Sequence, residues 1–163
     1  MRHDLVYSST KTYTHSVGLS CCFRQHKAKS HCNMLHGYSL EIRLTFTTNV
    51  LNENNWVVDF GSLKGVKQYL ENCFDHKTLI AEDDPLKSTV FRDMHIAGLI
   101  DPHIVPAVGC EAFSFMIFEQ VELWLKSHDD TRDRVALESV EVKEHQGNSA
   151  ICRKKHSHLP GGA

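Results

Sequence analysis

Residues 38–46 read Tyr38-Ser39-Leu40-Glu41-Ile42-Arg43-Leu44-Thr45-Phe46. Leu40, Ile42, Leu44 and Phe46 alternate with Ser39, Glu41, Arg43 and Thr45. Successive strand side chains point to opposite faces, so this stretch predicts a strand with one apolar and one polar face. Carrying the phase backwards puts His36 and Tyr38 on the apolar face. Upstream, residues 7–15 alternate in a similar way, with Tyr13 and His15 on one face. Residues 16–35 lack a clean period and carry Gly18, Ser20, Lys27, Lys29 and Ser30. They read as a long loop, and a loop of that length in a small domain is usually functional.

Downstream, residues 49–55 form a turn-rich connection. A helix follows, capped by Asp59 or Ser62, with Phe60, Leu63, Val66, Leu70 and Phe74 recurring every three to four residues. Asp84-Pro85 opens a shorter helical piece that Gly98 ends. Residues 110–126 predict a second main helix, apolar nearly all round in its first half through Phe113, Phe115 and Phe118. That pattern predicts burial on two sides, by the core and by a partner subunit. Val140, Val142 and Glu144 share one face of a strand, and Gln146-Gly147-Asn148 turns the chain into a last strand near 150–152. Strands grouped at both ends around helices predict an α+β fold with helices on one face of a sheet.

The 163 residues suit a single domain over 1–152, followed by a basic, then Gly/Pro-rich tail over 153–163 that reads as disordered. With 41% apolar and 23% charged residues, the mixture is ordinary and globular. A formal net charge of −2 implies no general attraction to nucleic acid. Met1–Thr10 is polar and does not read as a signal peptide, and no apolar run reaches membrane-spanning length. A cytoplasmic location follows as the expectation. There the six cysteines read as free thiols, metal ligands or a nucleophile rather than disulfides.

His15, Cys21, Cys22, His26, His31, Cys32 and His36 crowd one segment. His15 and His36 end neighbouring predicted strands and can face each other across the ladder to hold a metal; alternatively they are polar loop and core histidines. Cys32, four residues before His36, is a base or nucleophile if an imidazolium or metal lowers its pKa, or else a small buried hydrophobe. Cys73 and Cys152 read as core. Asp75-His76 follows the first helix, and an Asp can orient a histidine for proton transfer. Glu144 continues an apolar strand face; an inward carboxylate needs partners, which the N–H edge of a pterin or guanine-like ring supplies. The plainer alternative is a solvated glutamate at a strand end.

Taken together, these pieces resemble the 6-pyruvoyl-tetrahydropterin and 6-carboxytetrahydropterin synthase family from about Lys11 to Cys152. The matching segments are Tyr13-Thr14-His15, Cys32-Asn33-Met34-Leu35-His36-Gly37-Tyr38, Val57-Val58-Asp59-Phe60-Gly61-Ser62-Leu63-Lys64, Asp75 to Leu79, Gly109-Cys110-Glu111, and Val140, Val142 and Glu144. The resemblance implies the tunnelling fold: an antiparallel four-stranded sheet with two main helices, assembled as trimers or hexamers. It implies zinc held by three histidines, of which it gives His15 and His36 here, and His31 in the long loop is the expected third ligand. It also implies Cys32 as general base, Asp75 and His76 as proton relay, Glu144 as pterin anchor and Glu111 as a second pterin contact. Two departures stand out. Tyr38 occupies the place of a zinc histidine, and Gly109 that of a pterin-facing threonine. An ungapped alignment back from Cys32 offers Cys21 as a rival for the first zinc position. The short Cys-x3-His spacing is similar to the carboxy-type enzymes of the queuosine route. The leading expectation is therefore conversion of 7,8-dihydroneopterin triphosphate to 6-carboxytetrahydropterin with loss of acetaldehyde and triphosphate. The alternatives are the pyruvoyl product, or a pterin or purine binder with an altered metal site.

Overall fold

The structure is a computed structural model that describes residues 5–155. At its centre is β3 (His36–Thr48), the strand that opens the sequence reading, extended to thirteen residues. Leu40, Ile42, Leu44 and Phe46 on its inner face are completely buried. One edge pairs antiparallel with β6 (Ala136–His145), from Thr47↔Ala136 to Glu41↔Lys143, with a bulge between Thr45 and Phe46. The other edge carries two strands end to end. β1 (Tyr7–Tyr13) runs from Tyr7↔Thr48 to Tyr13↔Ile42, and β2 (Leu19–Phe23) from Leu19↔Leu40 to Phe23↔His36. A 3-10 turn at His15–Val17 and a left-handed Gly18 step the chain from one to the other.

The sheet continues beyond β2. β4 (Lys77–Ala81) lies parallel to β2, and β5 (Pro102–Val105) lies parallel to β4. At the far side β7 (Asn148–Arg153) closes a hairpin with β6. The order is β5-β4-β2-β3-β6-β7, with β1 beside β3. Among the described residues there are three α-helices: α1 (Lys64–Phe74), the short α2 (Arg92–Ile96) and α3 (Cys110–Ser127). α3 packs on β6 and β7, and α1 on β2 and β4. Phe113 of α3 joins the two halves of the core. Its ring meets Phe23 of β2 at 5.2 Å and Phe74 of α1 at 5.4 Å, both edge-on, an arrangement aromatic pairs favour.

The α+β reading holds, but the four-stranded antiparallel sheet with two helices is corrected, among the described residues, to a partly parallel sheet of seven strands with three α-helices. The missed strands have different causes. In β4 Thr78, Leu79, Ile80 and Ala81 are all buried, and a strand covered on both faces shows no alternation. β2 does alternate, with Leu19, Cys21 and Phe23 inward, but over only five residues within a polar surround. The first helix begins later than Asp59. The Asp59 carboxylate instead accepts the Gly61 N–H at 2.7 Å in a turn just before the helix. β7 extends to Arg153, and the Lys154 N–H reaches the Glu138 carbonyl. Of the expected tail, residues 156–163 lie outside the described residues, as do residues 1–4.

Because Phe113 is fully buried between β2 and α1, Phe113→Ala is expected to lower unfolding free energy by about 3–5 kcal/mol. Urea denaturation followed by circular dichroism measures this. A loss below about 1 kcal/mol contradicts the central packing role given to this ring.

Candidate functional site

The inward face of β6 leaves the core at Glu144, which is half-buried. Cys110, the first residue of α3, lies beside Glu144. Burial, then the charges of Glu144 and Glu111, then the nearness of the Glu144 side chain push the Cys110 thiol up to about 12. Cys110 is therefore a neutral thiol, and the carboxylate beside it keeps lone pairs for other donors. Around the pair lies a cleft of about 420 Å³ lined by Gln25, Cys32, Cys110, Glu111, Glu144 and the β6–β7 turn. Three predicted residues, Cys32, Glu111 and Glu144, thus meet in one cleft. Cys110 and Gln25 were not anticipated. The signal for Cys110 was its place next to the glycine that replaces threonine.

The loop that carries Cys32 is held at both ends. The Gln25 N–H donates to the Cys32 carbonyl at 2.9 Å. Arg24 grips Asp84 through Nε at 2.8 Å and Nη2 at 3.2 Å, and reaches the Asn33 carbonyl and side chain through Nη1. Burial alone would raise Asp84. The Arg24 guanidinium, the Leu86 N–H and the nearby charges overcome it and hold the carboxyl below its ordinary value. Gly109 needs to be glycine, for its φ is +115° and a Cβ there would lie 2.8 Å from the Gln25 side-chain amide. The space that a residue-109 side chain would fill is therefore taken by Gln25, which also lines the cleft.

The metal ligands predicted from sequence are not brought together. β2 occupies the edge of β3 where β1 was expected, so Phe23, not His15, stands opposite His36. His15 sits in the 3-10 turn, and its Nδ1 donates to the Ser39 carbonyl. His31 begins a separate exposed 3-10 turn. Cys21, the rival, lies opposite Tyr38, buried and inside the core. Burial and then the neighbouring thiols of Cys22 and Cys110 push Cys21 up to about 12. Among the described residues no three His, Cys, Asp or Glu side chains stand close enough to hold a metal. Around His36 the neighbouring side chains are Phe23, with ring centroids 5.0 Å apart, and Tyr38, at 5.5 Å. A phenyl has no lone pair, and zinc sites are built from His, Cys and carboxylates, so this set does not fit zinc.

Asp75 ends α1 and His76 follows in a left-handed conformation, its N–H donating to the Ser20 carbonyl at 2.7 Å. His76 Nδ1 lies 2.6 Å from the Asp75 carboxylate, so Nδ1 donates and Nε2 points to solvent. The pair is a built relay geometry, but it serves another cavity. That cavity, of about 700 Å³, is lined by Ser20, Cys22, His76, Thr78 and Asp101 among others, and shares no lining residue with the Glu144 cleft.

Comparison with known proteins supports the fold. The family described as "6-pyruvoyl tetrahydropterin synthase" matches residues 12–155. An uncharacterized protein, WS1659, from Wolinella succinogenes superposes with a TM-score of 0.80 at 17% identity, covering 93% of this chain and 100% of that one. The 6-pyruvoyl tetrahydropterin synthase of Plasmodium vivax gives 0.67 at 15% identity, covering 93% and 99%. That of Caenorhabditis elegans gives 0.57 at 16% identity, covering 93% and 96%. No curated protein matches the chain. The expectation of a carboxy-type synthase in the queuosine route is corrected here. The matching family is the pyruvoyl one, and so are the named synthases among these structures. Spacing between Cys32 and His36 misled because it reports loop length, not product.

Two outcomes follow from the geometry. The Asp84 carboxyl is depressed, so its contribution to stability is present above about pH 3.9 and is lost as pH falls through the lower folded value. Arg24→Ala should remove that acid dependence and cost about 3–5 kcal/mol, read from urea titrations at pH 7 and pH 3. Cys21 and Cys110, both raised to about 12, should resist iodoacetamide at pH 8 in the folded protein and react in urea. Mass-mapped alkylation tests this, and rapid labelling of Cys110 in the folded state would contradict its place as a neutral thiol.

Proposed function

The chain belongs to the 6-pyruvoyl tetrahydropterin synthase family, and from that membership and the Glu144 cleft we propose that it binds a reduced pterin or a like bicyclic ring. The observation that carries the reading is the Glu144–Cys110 pair at the inner end of β6. A pterin presents an amide N–H and an exocyclic amine side by side. A carboxylate accepts both, and charge-assisted bonds of this kind are the stronger ones. Glu111 and the Gln25 amide, both lining the same cleft, are proposed as further edge contacts. Cys32, on the clamped loop at the cleft, faces the substituent that such a ring carries.

A second reading, catalysis of pyruvoyl-type chemistry with elimination of triphosphate, is favoured by the Asp75–His76 pair. His76 with its Nε2 free and Nδ1 held by a carboxylate is arranged to move a proton. Since it and Cys32 line different cavities within one chain, this reading requires a trimer or hexamer in which subunits share a site. Phe115 of α3, exposed at 55%, is available for such assembly. No step is assigned to zinc, whose donor set is lacking.

Binding of 7,8-dihydroneopterin, followed by fluorescence, tests the first reading. Glu144→Gln should weaken it by about 1.5–3 kcal/mol, or roughly 10- to 150-fold, without loss of folding. Equal affinity in the variant would remove Glu144 from the site. Mass analysis of products from 7,8-dihydroneopterin triphosphate tests the second. If turnover exists, Cys32→Ala and His76→Ala should each slow it by about a hundredfold or more. A monomer in light scattering, combined with full turnover, would sink the shared-site arrangement.

A further inference from the structure

We infer that the place on β2 and β3 where the resemblance puts a zinc ion is a metal-free aromatic seat, with the Tyr38 hydroxyl supplying a hydrogen bond to the bound ring. The inference rests in part on the pterin reading above, and its two arms are separable. Three positions define the place: His36, its cross-strand partner Phe23, and Tyr38 two residues on along the same face of β3. Phe23 is fully buried and locked edge-on against Phe113, so it is core rather than a movable gate. It also stacks near both neighbours, 5.0 Å from His36 and 6.1 Å from Tyr38. The array extends through Tyr38 to His145, whose ring is 6.3 Å away.

His36 is itself committed. Its Nδ1 lies 2.7 Å from the Met34 carbonyl and must donate to it, which leaves Nε2 as the one open nitrogen of His36. One imidazole nitrogen beside a phenyl and a phenol is a poor metal site and a good aromatic wall. Gly37 holds the spacing of the wall. A Cβ at Gly37 would come within 2.9 Å of the Cys21 carbonyl, so any other residue would push β3 away from β2. Tyr38 lines the other cavity, with His76, and lies within electrostatic reach of Glu144, Cys32 and Cys110, which line the cleft. A phenol at that border donates an O–H toward a ring nitrogen or carbonyl whose N–H edge Glu144 receives. Donor and acceptor then read opposite parts of one planar ligand.

The metal arm is tested by zinc content. Protein purified without chelator and dialysed against micromolar zinc should carry far less than one zinc per chain. The Phe23→His/Tyr38→His double variant should gain about one, since three imidazoles then converge. If burial of a histidine at position 23 prevents folding, the zinc content of the wild-type chain and of His36→Ala still decides the matter. Stoichiometric zinc in the wild type that disappears in His36→Ala overturns the inference. The ligand arm uses 7,8-dihydroneopterin with and without EDTA. Affinity should be unchanged by EDTA and fall about 2- to 12-fold in Tyr38→Phe. Loss of binding in EDTA, restored by zinc, overturns the metal-free seat, and unchanged affinity in Tyr38→Phe overturns the hydroxyl's role. If no dihydroneopterin binds to any form, the pterin reading and the hydroxyl's role toward that ring fail together, while zinc content still decides the metal arm.

Discussion

β3 is the constraint on which the rest depends. It is paired along one edge for nearly its whole length, along the other from Glu41 to Thr47, and buried along one face, so a slip of one residue would turn Leu40, Ile42, Leu44 and Phe46 to the outside. Its length lets one strand serve two purposes. Residues 42–48 pair with β1 and β6 to build the core under α3, while residues 36–40 pair with β2 and carry the chemistry of His36 and Tyr38. The site is therefore positioned by the same register that secures the core, and it sits at the end of the strand where burial fades from complete to partial.

Two polar contacts then shape the cleft. Arg24 and Asp84 pair where Asp84 is almost wholly buried, and a buried pair of this kind is costly to break because the remaining charge is left without a partner. It anchors the loop from Gln25 to Cys32 against the segment after β4, which places Cys32 and Gln25 at the cleft. On the other side Cys110, at the start of α3, stands beside Glu144 as a neutral thiol. Substitution at two positions expected to bear polar groups is met by neighbours. Gln25 fills the space left by Gly109, and the ring array around His36 fills the space of the metal donors.

Much of this was legible in the sequence where a period or a cap speaks locally. The alternation from Leu40 to Phe46 and the spacing from Leu63 to Phe74 correspond to β3 and α1. The run from Phe113 to Leu125 and the Val140–Val142–Glu144 face correspond to α3 and β6. Cys32, Glu111 and Glu144 were singled out by chemistry at one position each, and they do line one cleft. What was not legible has a shared reason. β4 and β5 are short and pair in parallel with distant segments, so their identity as strands comes from partners far along the chain.

By itself, then, the sequence determined which segments have a buried face, where the helices run, and which carboxylate continues an apolar strand inward. These are properties of neighbouring residues and need no partner. Tertiary structure alone decided which residue faces His36. The choice of Phe23 over His15 depends on β2 taking the edge of β3 beyond Gly18, a question of pairing between segments that local pattern does not encode. It also decided that His76 lines a different cavity from Cys32. Residues that a motif groups share a site only if the pairing of distant strands carries them to one place, and here β2 and β4 set His76 beside Ser20 and Cys22, while Cys32 meets Glu144 at the end of β6.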